Sequence, residues 1–182
     1  MCIRDRSAAA ERLALSRGVG VVAAVAGWDG DQEMVRRIEA HQVTRPGGWE
    51  TRLVAAEPGW IAEVANDSVL LLDCLATLIG AIAYEEVGEA EIASRSEEAA
   101  SQSHADALVE ALLERAGDTI VVSNEAGWGV VPSSAAGRLF RDLLGRANRA
   151  LIARADAAYL VVDGRFLDLK ALPSEPVWPD QP

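Results

Sequence analysis

The chain has 182 residues, of which 17 are Lys or Arg and 28 are Asp or Glu, so its formal net charge is −11. This acidic balance argues against a nucleic-acid partner, because phosphate backbones require clustered positive charge. No apolar run approaches the roughly 18–20 residues of a membrane span, and residues 1–7 lack the apolar segment of a secretory signal. We therefore expect one cytoplasmic globular domain without a membrane span.

Short apolar runs alternate with longer stretches of helical periodicity along the chain. After a polar start at residues 1–7 and a short amphipathic helix at 8–15, four runs predict strands: 18–26, 69–73, 119–123 and 158–163. None of these runs shows period-two alternation, which is typical of strands buried on both faces of a parallel sheet. The pattern predicts an α/β domain built on a mainly parallel sheet.

Helical spacing predicts the remaining elements between and after these strands. The predicted helices are 31–43, 75–87, 105–115 and 134–155. The acidic stretch 89–103 is predicted to be a solvated face or connection that leads to the helix at 105–115. Segment 172–182 contains four prolines, so we expect a loose tail there, because proline blocks both helix and central strand.

The first of these helices after the opening strand carries the densest group of reactive side chains. Glu33, Arg37 and His41 are spaced by four residues, which places them on one helical face. Guanidinium groups at Arg37 and Arg45 suit phosphate oxygens, and an imidazole can attack phosphorus. The alternative is a surface helix with ordinary ion pairs.

Two further motifs follow predicted strands. Asp73 ends an apolar strand and could hold Mg²⁺, or it could simply cap the next helix. Segment 123–132, which contains Glu125, Gly127 and Gly129, lies where open α/β sheets bind ligands. Alternatively, its glycines supply turn dihedrals and Glu125 serves as a cap.

Two isolated residues carry weaker predictions. His104 has no second His or Cys at metal-ligand spacing, so we expect it to be exposed. Cys74 follows a predicted buried strand without a CxxC partner, which favours a packed, unreactive thiol.

Three segments together resemble the adenosylcobinamide kinase/adenosylcobinamide-phosphate guanylyltransferase family of cobalamin biosynthesis. They are Asp-x-Glu-Met-x-x-Arg-Ile-x-x-His through Arg-Pro-x-x-Trp-x-Thr at 31–51, Leu-Leu-Asp-Cys-Leu at 71–75, and the segment 121–148 with its Asn-Glu-x-Gly-x-Gly-x-Val-Pro motif. The resemblance covers about residues 7–170, in order and with matching spacing.

The resemblance implies a P-loop NTPase-like fold, a homotrimer and two reactions on a corrinoid. One is phosphorylation of adenosylcobinamide by a nucleoside triphosphate, ATP or GTP. The other is transfer of GMP from GTP to adenosylcobinamide-phosphate through a guanylylated histidine, which maps to His41. By the same resemblance Asp73 serves Mg²⁺, and nucleotide contacts fall on Ser7, Ala26, Gly27, Trp28, Arg37, Gln42, Val43, Thr44, Arg45 and Asp73.

The chain departs from the family pattern at its start. Asp5-Arg6-Ser7 stands where the family has Gly-Lys-Ser, and only Ser7 matches. We therefore expect that the first strand and the P-loop are missing, that residues 1–6 are a foreign leader, and that a single domain spans 7–171. Smaller departures are Leu53, Ala76 and Ala81, where the family has Glu, Thr and Asn.

Two other readings of the function stay open. One is a non-catalytic descendant that binds a nucleotide or corrinoid without turnover. The other is a P-loop phosphotransferase acting on an unrelated small substrate, which would have no need of a nucleophilic His41.

Overall fold

The structure, a computed structural model, describes residues 3–27 and 45–175. Its elements in chain order are α1 (Ile3–Ser16), β1 (Val21–Ala26), β2 (Glu50–Val54), a 3₁₀ helix (Pro58–Glu63), β3 (Val69–Asp73), α2 (Leu75–Val87), α3 (Arg95–Glu114), β4 (Thr119–Val122), α4 (Ala135–Arg154), β5 (Tyr159–Val162) and β6 (Arg165–Asp168). Over these ranges no helix is long and apolar enough to cross a membrane.

Four strands form a parallel sheet in the order β2-β1-β3-β4. The register pairs Ala26 with Val54 and Val25 with Asp73, and it pairs Asp73 with Val122. The carboxyl ends of all four strands therefore meet at one edge of the sheet. The predicted mixed α/β fold with a mainly parallel sheet is confirmed, and this arrangement is consistent with a P-loop NTPase-like domain.

Hydrophobic clusters cover both faces of the sheet. Leu70 and Leu72 of β3 point into the larger cluster, which α2, α3 and α4 complete. Val69 and Leu71 point to the opposite face, where they pack with Ala10 and Ala14 of α1 and with other small apolar side chains. Since successive strand residues face opposite sides, a strand covered on both sides must be apolar throughout. This explains why β3 carries no alternation.

Helices α2 and α4 follow the sequence prediction closely. The predicted helix 75–87 is found with those bounds, and the predicted helix 134–155 is found as Ala135–Arg154. The Ser134 side chain accepts a hydrogen bond from the Gly137 amide and caps α4. These boundaries were predictable because capping and apolar spacing are local properties of the chain.

Of the two possibilities expected for 89–103, a connection is wrong from residue 95 onward, where the structure has a helix, whereas residues 95–100 are largely exposed, as a solvated face would be. Helix α3 begins at Arg95, ten residues before the predicted start at 105, and runs to Glu114. Ser94 and Glu97 form a reciprocal capping box that starts this helix. Buried Ser101 and Ala105 then anchor the amino-terminal half against the core, so tertiary packing stabilises a stretch whose composition is polar.

The last predicted strand is placed differently from the expectation. Segment 158–163 was predicted to be buried on both faces, but β5 pairs antiparallel with β6 in a separate two-stranded sheet and is largely exposed. Asp163 and Gly164 both have positive φ, which is the conformation of a tight hairpin turn. Strand β6 was not predicted, and neither was β2, which lies within the motif at 31–51.

The ends of the chain differ in part from what the sequence predicts. Helix α1 begins at Ile3, before the predicted start at residue 8. Residues 172–175 form neither helix nor strand, and the rest of the predicted loose tail lies outside the described residues. The predicted helix 31–43 also lies outside them.

Candidate functional site

The carboxyl edge of the parallel sheet brings together residues from four separate parts of the chain. Ala26 and Gly27 end β1, Asp73 ends β3, and Ser123 follows β4. Arg45 lies in the segment that leads into β2 and is buried at 8% exposure. Open parallel sheets bind their ligands at this edge, where loops diverge and leave a crevice.

Arg45 is the buried charge at this edge. Its side chain is 3% exposed, its Nε lies 3.1 Å from Glu11 Oε1, and its Nη2 lies 3.9 Å from Asp73 Oδ2. Its Nη1 is buried and has no hydrogen-bond partner within the described ranges. A buried guanidinium with a spare donor is a favourable place for an anionic oxygen, because an unsatisfied buried donor costs free energy.

Asp73 does not cap the helix that follows it. The N-cap of α2 is Cys74, whose thiol lies 3.3 Å from the Thr77 hydroxyl. The Asp73 carboxylate instead faces Arg45 and is 13% exposed. The capping alternative for Asp73 is therefore wrong, and the carboxylate remains available at the edge of the sheet.

The donors at this edge fit a magnesium ion that also binds substrate phosphates. Mg²⁺ commonly takes one or two carboxylates and completes its shell with water and phosphate oxygens. Asp73 supplies one carboxylate, and the part of the chain that the structure describes has no group of three or more His, Cys, Asp or Glu able to form a full protein cage. Ser7 is buried on α1 one turn before Glu11, on the same helical face.

A second polar network lies at the carboxyl end of β4. The Arg6 guanidinium donates to the Ser123 carbonyl and, at 2.7 Å, to Asn124 Oδ1. The Ser123 hydroxyl donates to Asn148 Oδ1 at 2.6 Å, and Asn148 Nδ2 donates to the Asn124 carbonyl at 2.9 Å. This network joins α1, the loop after β4, and α4.

The loop between β4 and α4 is held by its own side chains. Glu125 Oε1 accepts from the Gly127 amide at 2.5 Å, and Arg141 Nη2 donates to the Gly127 carbonyl at 3.3 Å. Residues 127 and 128 form a turn, and neither Gly127 nor Gly129 has positive φ. Glu125 accepts from a backbone amide within the loop, but it does not cap α4, whose N-cap is Ser134.

The charged groups with displaced pKa values lie elsewhere. Burial lowers the pKa of Arg115, with an opposing effect from Asp118, and its guanidinium donates to the carbonyls of Ala65, Ser68 and Asp118. These contacts are at the amino ends of β3 and β4, opposite the candidate site. His104, predicted to be exposed, has a side chain only 22% exposed, and its Nε2 lies 3.4 Å from Glu57 Oε1.

Several predicted site residues can be placed, and others cannot. Ser7, Ala26, Gly27, Arg45 and Asp73 lie at or beside the carboxyl edge, and the loop with Glu125, Gly127 and Gly129 leaves the same edge. Trp28, Arg37, His41, Gln42, Val43 and Thr44 lie outside the described residues.

Two residues that the structure places at this edge, Glu11 and Asn148, were not predicted to be site residues. Glu11 and Asn148 lay within motif-like stretches, but nothing in their spacing indicated a contact with Arg45 or with the end of β4. An Asn in the middle of an amphipathic helix is a weak indication of such a contact, because Asn is a poor helix former.

Comparisons with known proteins agree with this arrangement. The chain matches the family described as cobinamide kinase / cobinamide phosphate guanyltransferase over residues 5–169. It is 32% identical to the bifunctional adenosylcobalamin biosynthesis protein CobU of Escherichia coli over 77% of this chain and 80% of that protein. CobU of Salmonella typhimurium gives the same values, and CobP of Pseudomonas aeruginosa, also named a bifunctional adenosylcobalamin biosynthesis protein, is 32% identical over 92% of each chain. The chain therefore belongs to the cobinamide kinase / cobinamide phosphate guanyltransferase family.

Proposed function

We propose that this protein phosphorylates adenosylcobinamide and then transfers GMP from GTP to the resulting phosphate, giving adenosylcobinamide-GDP in cobalamin biosynthesis. The observation that carries the proposal is the buried Arg45, held between Glu11 and Asp73 at the carboxyl edge of the sheet with one donor unsatisfied within the described ranges. Family membership and the names of the relatives supply the substrate class.

The guanylyl transfer takes place in two steps. A ring nitrogen of His41 attacks the α-phosphorus of GTP, a nitrogen–phosphorus bond forms, and the bond to the β-phosphate breaks to release pyrophosphate. A phosphate oxygen of adenosylcobinamide-phosphate then attacks the same phosphorus, and the imidazole leaves. Arg37 and Arg45 stabilise the charge that develops on the phosphoryl oxygens.

The kinase step uses the same edge of the sheet. The aminopropanol hydroxyl of adenosylcobinamide attacks the γ-phosphorus of ATP or GTP, and the nucleoside diphosphate leaves. Asp73 and Ser7 are the residues that would hold Mg²⁺, which when bound offsets phosphate charge. The remaining nucleotide contacts are assigned to Ala26, Gly27 and Trp28, and to the segment of Gln42, Val43, Thr44 and Arg45.

The decisive experiment measures intact mass after incubation with GTP and Mg²⁺. We expect one added GMP that is labile in acid and absent from His41→Ala. The chain has two histidines, so His104→Ala is the matched control and should keep the adduct. The same assay is run on a version carrying a strand and a Gly-x-x-x-x-Gly-Lys-Ser segment ahead of the helix. Absence of the adduct from both versions contradicts the guanylyltransferase assignment.

One observation favours the binding-only candidate. Arg6 occupies the position of the lysine in the family's Gly-Lys-Ser, and its guanidinium is engaged by Ser123 and Asn124 at the end of β4. A cation used in this way is not free to neutralise β- and γ-phosphates. Calorimetric binding of GTP without an adduct or phosphate release would support this candidate over the enzyme.

The assembly state and location are proposed on the family resemblance. A homotrimer is expected, together with a cytoplasmic location. Light scattering of the purified chain tests the trimer directly, and a monomer at micromolar concentration would contradict it.

A further inference from the structure

A polar cavity of about 340 Å³ lies between the loop after β4 and the outer face of α4. Its lining includes Glu125, Gly127, Arg141, Gly145, Arg146 and Arg149. The loop forming its upper wall leaves the sheet directly after β4, whose last residue pairs with Asp73. The cavity therefore adjoins the site at Arg45 and Asp73, and it shares Glu125 and Gly127 with the predicted site loop.

The floor of the cavity is open because Gly145 has no side chain. A Cβ placed on Gly145 would meet no heavy atom within 4 Å. Glycine inside a helix costs about 1 kcal/mol relative to alanine. Packing does not require Gly145 in α4, which points to a requirement for space above the helix.

The walls carry both hydrogen-bond donors and acceptors. Arg149 makes no hydrogen bond or ion pair within residues 3–27 and 45–175, so its donors are free to meet a ligand. The carboxylates of Glu125 and Asp142 and the guanidinium groups of Arg141 and Arg146 line the same cavity, so acceptors and donors lie side by side in it. A lining with both functions suits a neutral ligand that both donates and accepts, and carboxamides do both.

Exposed apolar side chains follow the cavity-lining residue Gly127 along the chain. Trp128 follows Gly127 in the chain and is 79% exposed, and Val130 and Val131 are 96% and 63% exposed. These three side chains are not part of the cavity lining, but the exposed Trp128 ring next to Gly127 offers a hydrophobic surface beside the polar cavity. This combination matches a macrocycle with an apolar face and an amide-bearing periphery.

We propose that this cavity binds the carboxamide side chains at the edge of the corrin ring of adenosylcobinamide, with the ring resting on the loop at Trp128. The inference rests on the proposed function for its substrate class and adds a location for the corrinoid. A cavity of about 340 Å³ holds one or two amide side chains and not the whole ring, so most of the ring stays outside it.

The test compares corrinoid and nucleotide binding in variants of α4. Gly145→Leu fills the cavity, and Arg149→Gln removes the free guanidinium. Ala150→Leu, which adds the same side chain to an exposed position of the same helix outside the cavity, is the matched control. Adenosylcobinamide binding is measured by equilibrium dialysis, GTP binding by calorimetry, and folding by thermal denaturation.

We expect Gly145→Leu to weaken adenosylcobinamide binding at least about tenfold, which is about 1.4 kcal/mol. GTP affinity should match that of Ala150→Leu, and the melting temperature should not fall below that of the unmodified chain, because replacing a helical glycine gains helix propensity. Arg149→Gln should weaken corrinoid binding by a smaller factor, with little dependence on salt, because the ligand amides are neutral.

Three results would overturn the inference. Unchanged corrinoid affinity in Gly145→Leu excludes the cavity while leaving the proposed function intact. A loss confined to adenosylcobinamide-phosphate assigns the cavity to a phosphate, and a loss of GTP affinity assigns it to the nucleotide. Failure of the unmodified chain to bind adenosylcobinamide rejects the proposed function itself, and this inference with it.

Discussion

Arg45 Nη2 lies 3.9 Å from Asp73 Oδ2, and the Arg45 side chain is 3% exposed. The two residues are far apart in sequence and reach each other because the segment before β2 and the end of β3 converge at one edge of the sheet. A buried guanidinium so close to a carboxylate both holds that carboxylate in place and offers positive charge to a phosphate ligand.

Replacing the guanidinium of Arg45 should be strongly destabilising. Arg45→Met removes the cation that neutralises Asp73 and contacts Glu11, and breaking such a buried pair costs about 3 kcal/mol. Urea denaturation measures the loss. Arg52→Met is the control, because its ion pair with Glu50 is largely solvent-accessible and should contribute nothing measurable. Equal stability losses in the two variants would contradict a buried network at Arg45.

The hydrogen bond between Ser123 and Asn148 should appear as an energetic coupling. In a cycle of Ser123→Ala, Asn148→Ala and the double variant, we expect a coupling of about 1 kcal/mol in the free energy of unfolding. The 2.6 Å bond between the two side chains is the physical reason. Strictly additive losses would show that Asn148 acts only through its contact with the Asn124 carbonyl.

The capping box of α3 predicts a local loss of stability and a pH dependence. Ser94→Ala should cost about 1 kcal/mol, whereas Ser103→Ala, an exposed change in the middle of the same helix, should not destabilise. Chemical denaturation of the two variants checks this. A loss at Ser103 as large as that at Ser94 would argue against a specific cap.

Ionisation of Glu97 should make the stability of the protein depend on pH. The hydrogen bond from the Ser94 amide lowers the pKa of Glu97 from its ordinary value of 4.5. Its contribution to stability is therefore present above pH 4.5 and is lost as the pH falls through the lowered pKa. Glu97→Gln should flatten this part of the stability profile measured from about pH 7 to about pH 3. An unchanged profile would show that the Glu97 carboxylate does not contribute.

Replacing two helical glycines by alanine should change the stability of the protein in opposite directions. In Gly80→Ala the new Cβ would lie 3.8 Å from the Phe140 ring, an ordinary contact, so we expect a gain of about 0.5–1 kcal/mol from helix propensity. In Gly137→Ala the Cβ would lie 2.7 Å from Pro132 Cβ, so we expect a loss of about 1–3 kcal/mol. Melting temperatures of the pair check both signs, and a loss in Gly80→Ala would indicate tighter packing of α2 on α4.

Much of the fold could be predicted from local patterns. The bounds of β3 and α2 follow from an apolar run that ends in a charge and from helical spacing that ends at Gly88. The amino-terminal half of α3 had a local signal that was missed, the Ser-x-x-Glu capping box at Ser94 and Glu97, because its polar composition hid the packing of Ser101 and Ala105 against the core. The cap marks where the helix begins, and burial of these two residues stabilises it.

The candidate site was predicted as a set of residues and not as an arrangement. Arg45 and Asp73 were both predicted to be site residues. Their spacing in the sequence could not exclude ordinary surface ion pairs for the arginines or a helix cap for Asp73. The structure excludes the helix cap at Asp73, because the N-cap of α2 is Cys74 and the Asp73 carboxylate faces Arg45. His41 and its neighbours remain predictions, since they lie outside the described residues.

The sequence by itself determined the α/β class, the two central strands and the ends of α4, because burial on both faces and helix capping are visible in consecutive residues. Only the tertiary structure decided that the apolar segment Tyr159–Val162 pairs with β6 outside the main sheet and not within it. It also decided that Glu11, Arg45 and Asp73 meet. Pairing of strands and contacts between distant charges depend on which surfaces are already occupied, and no local pattern of side chains carries that information.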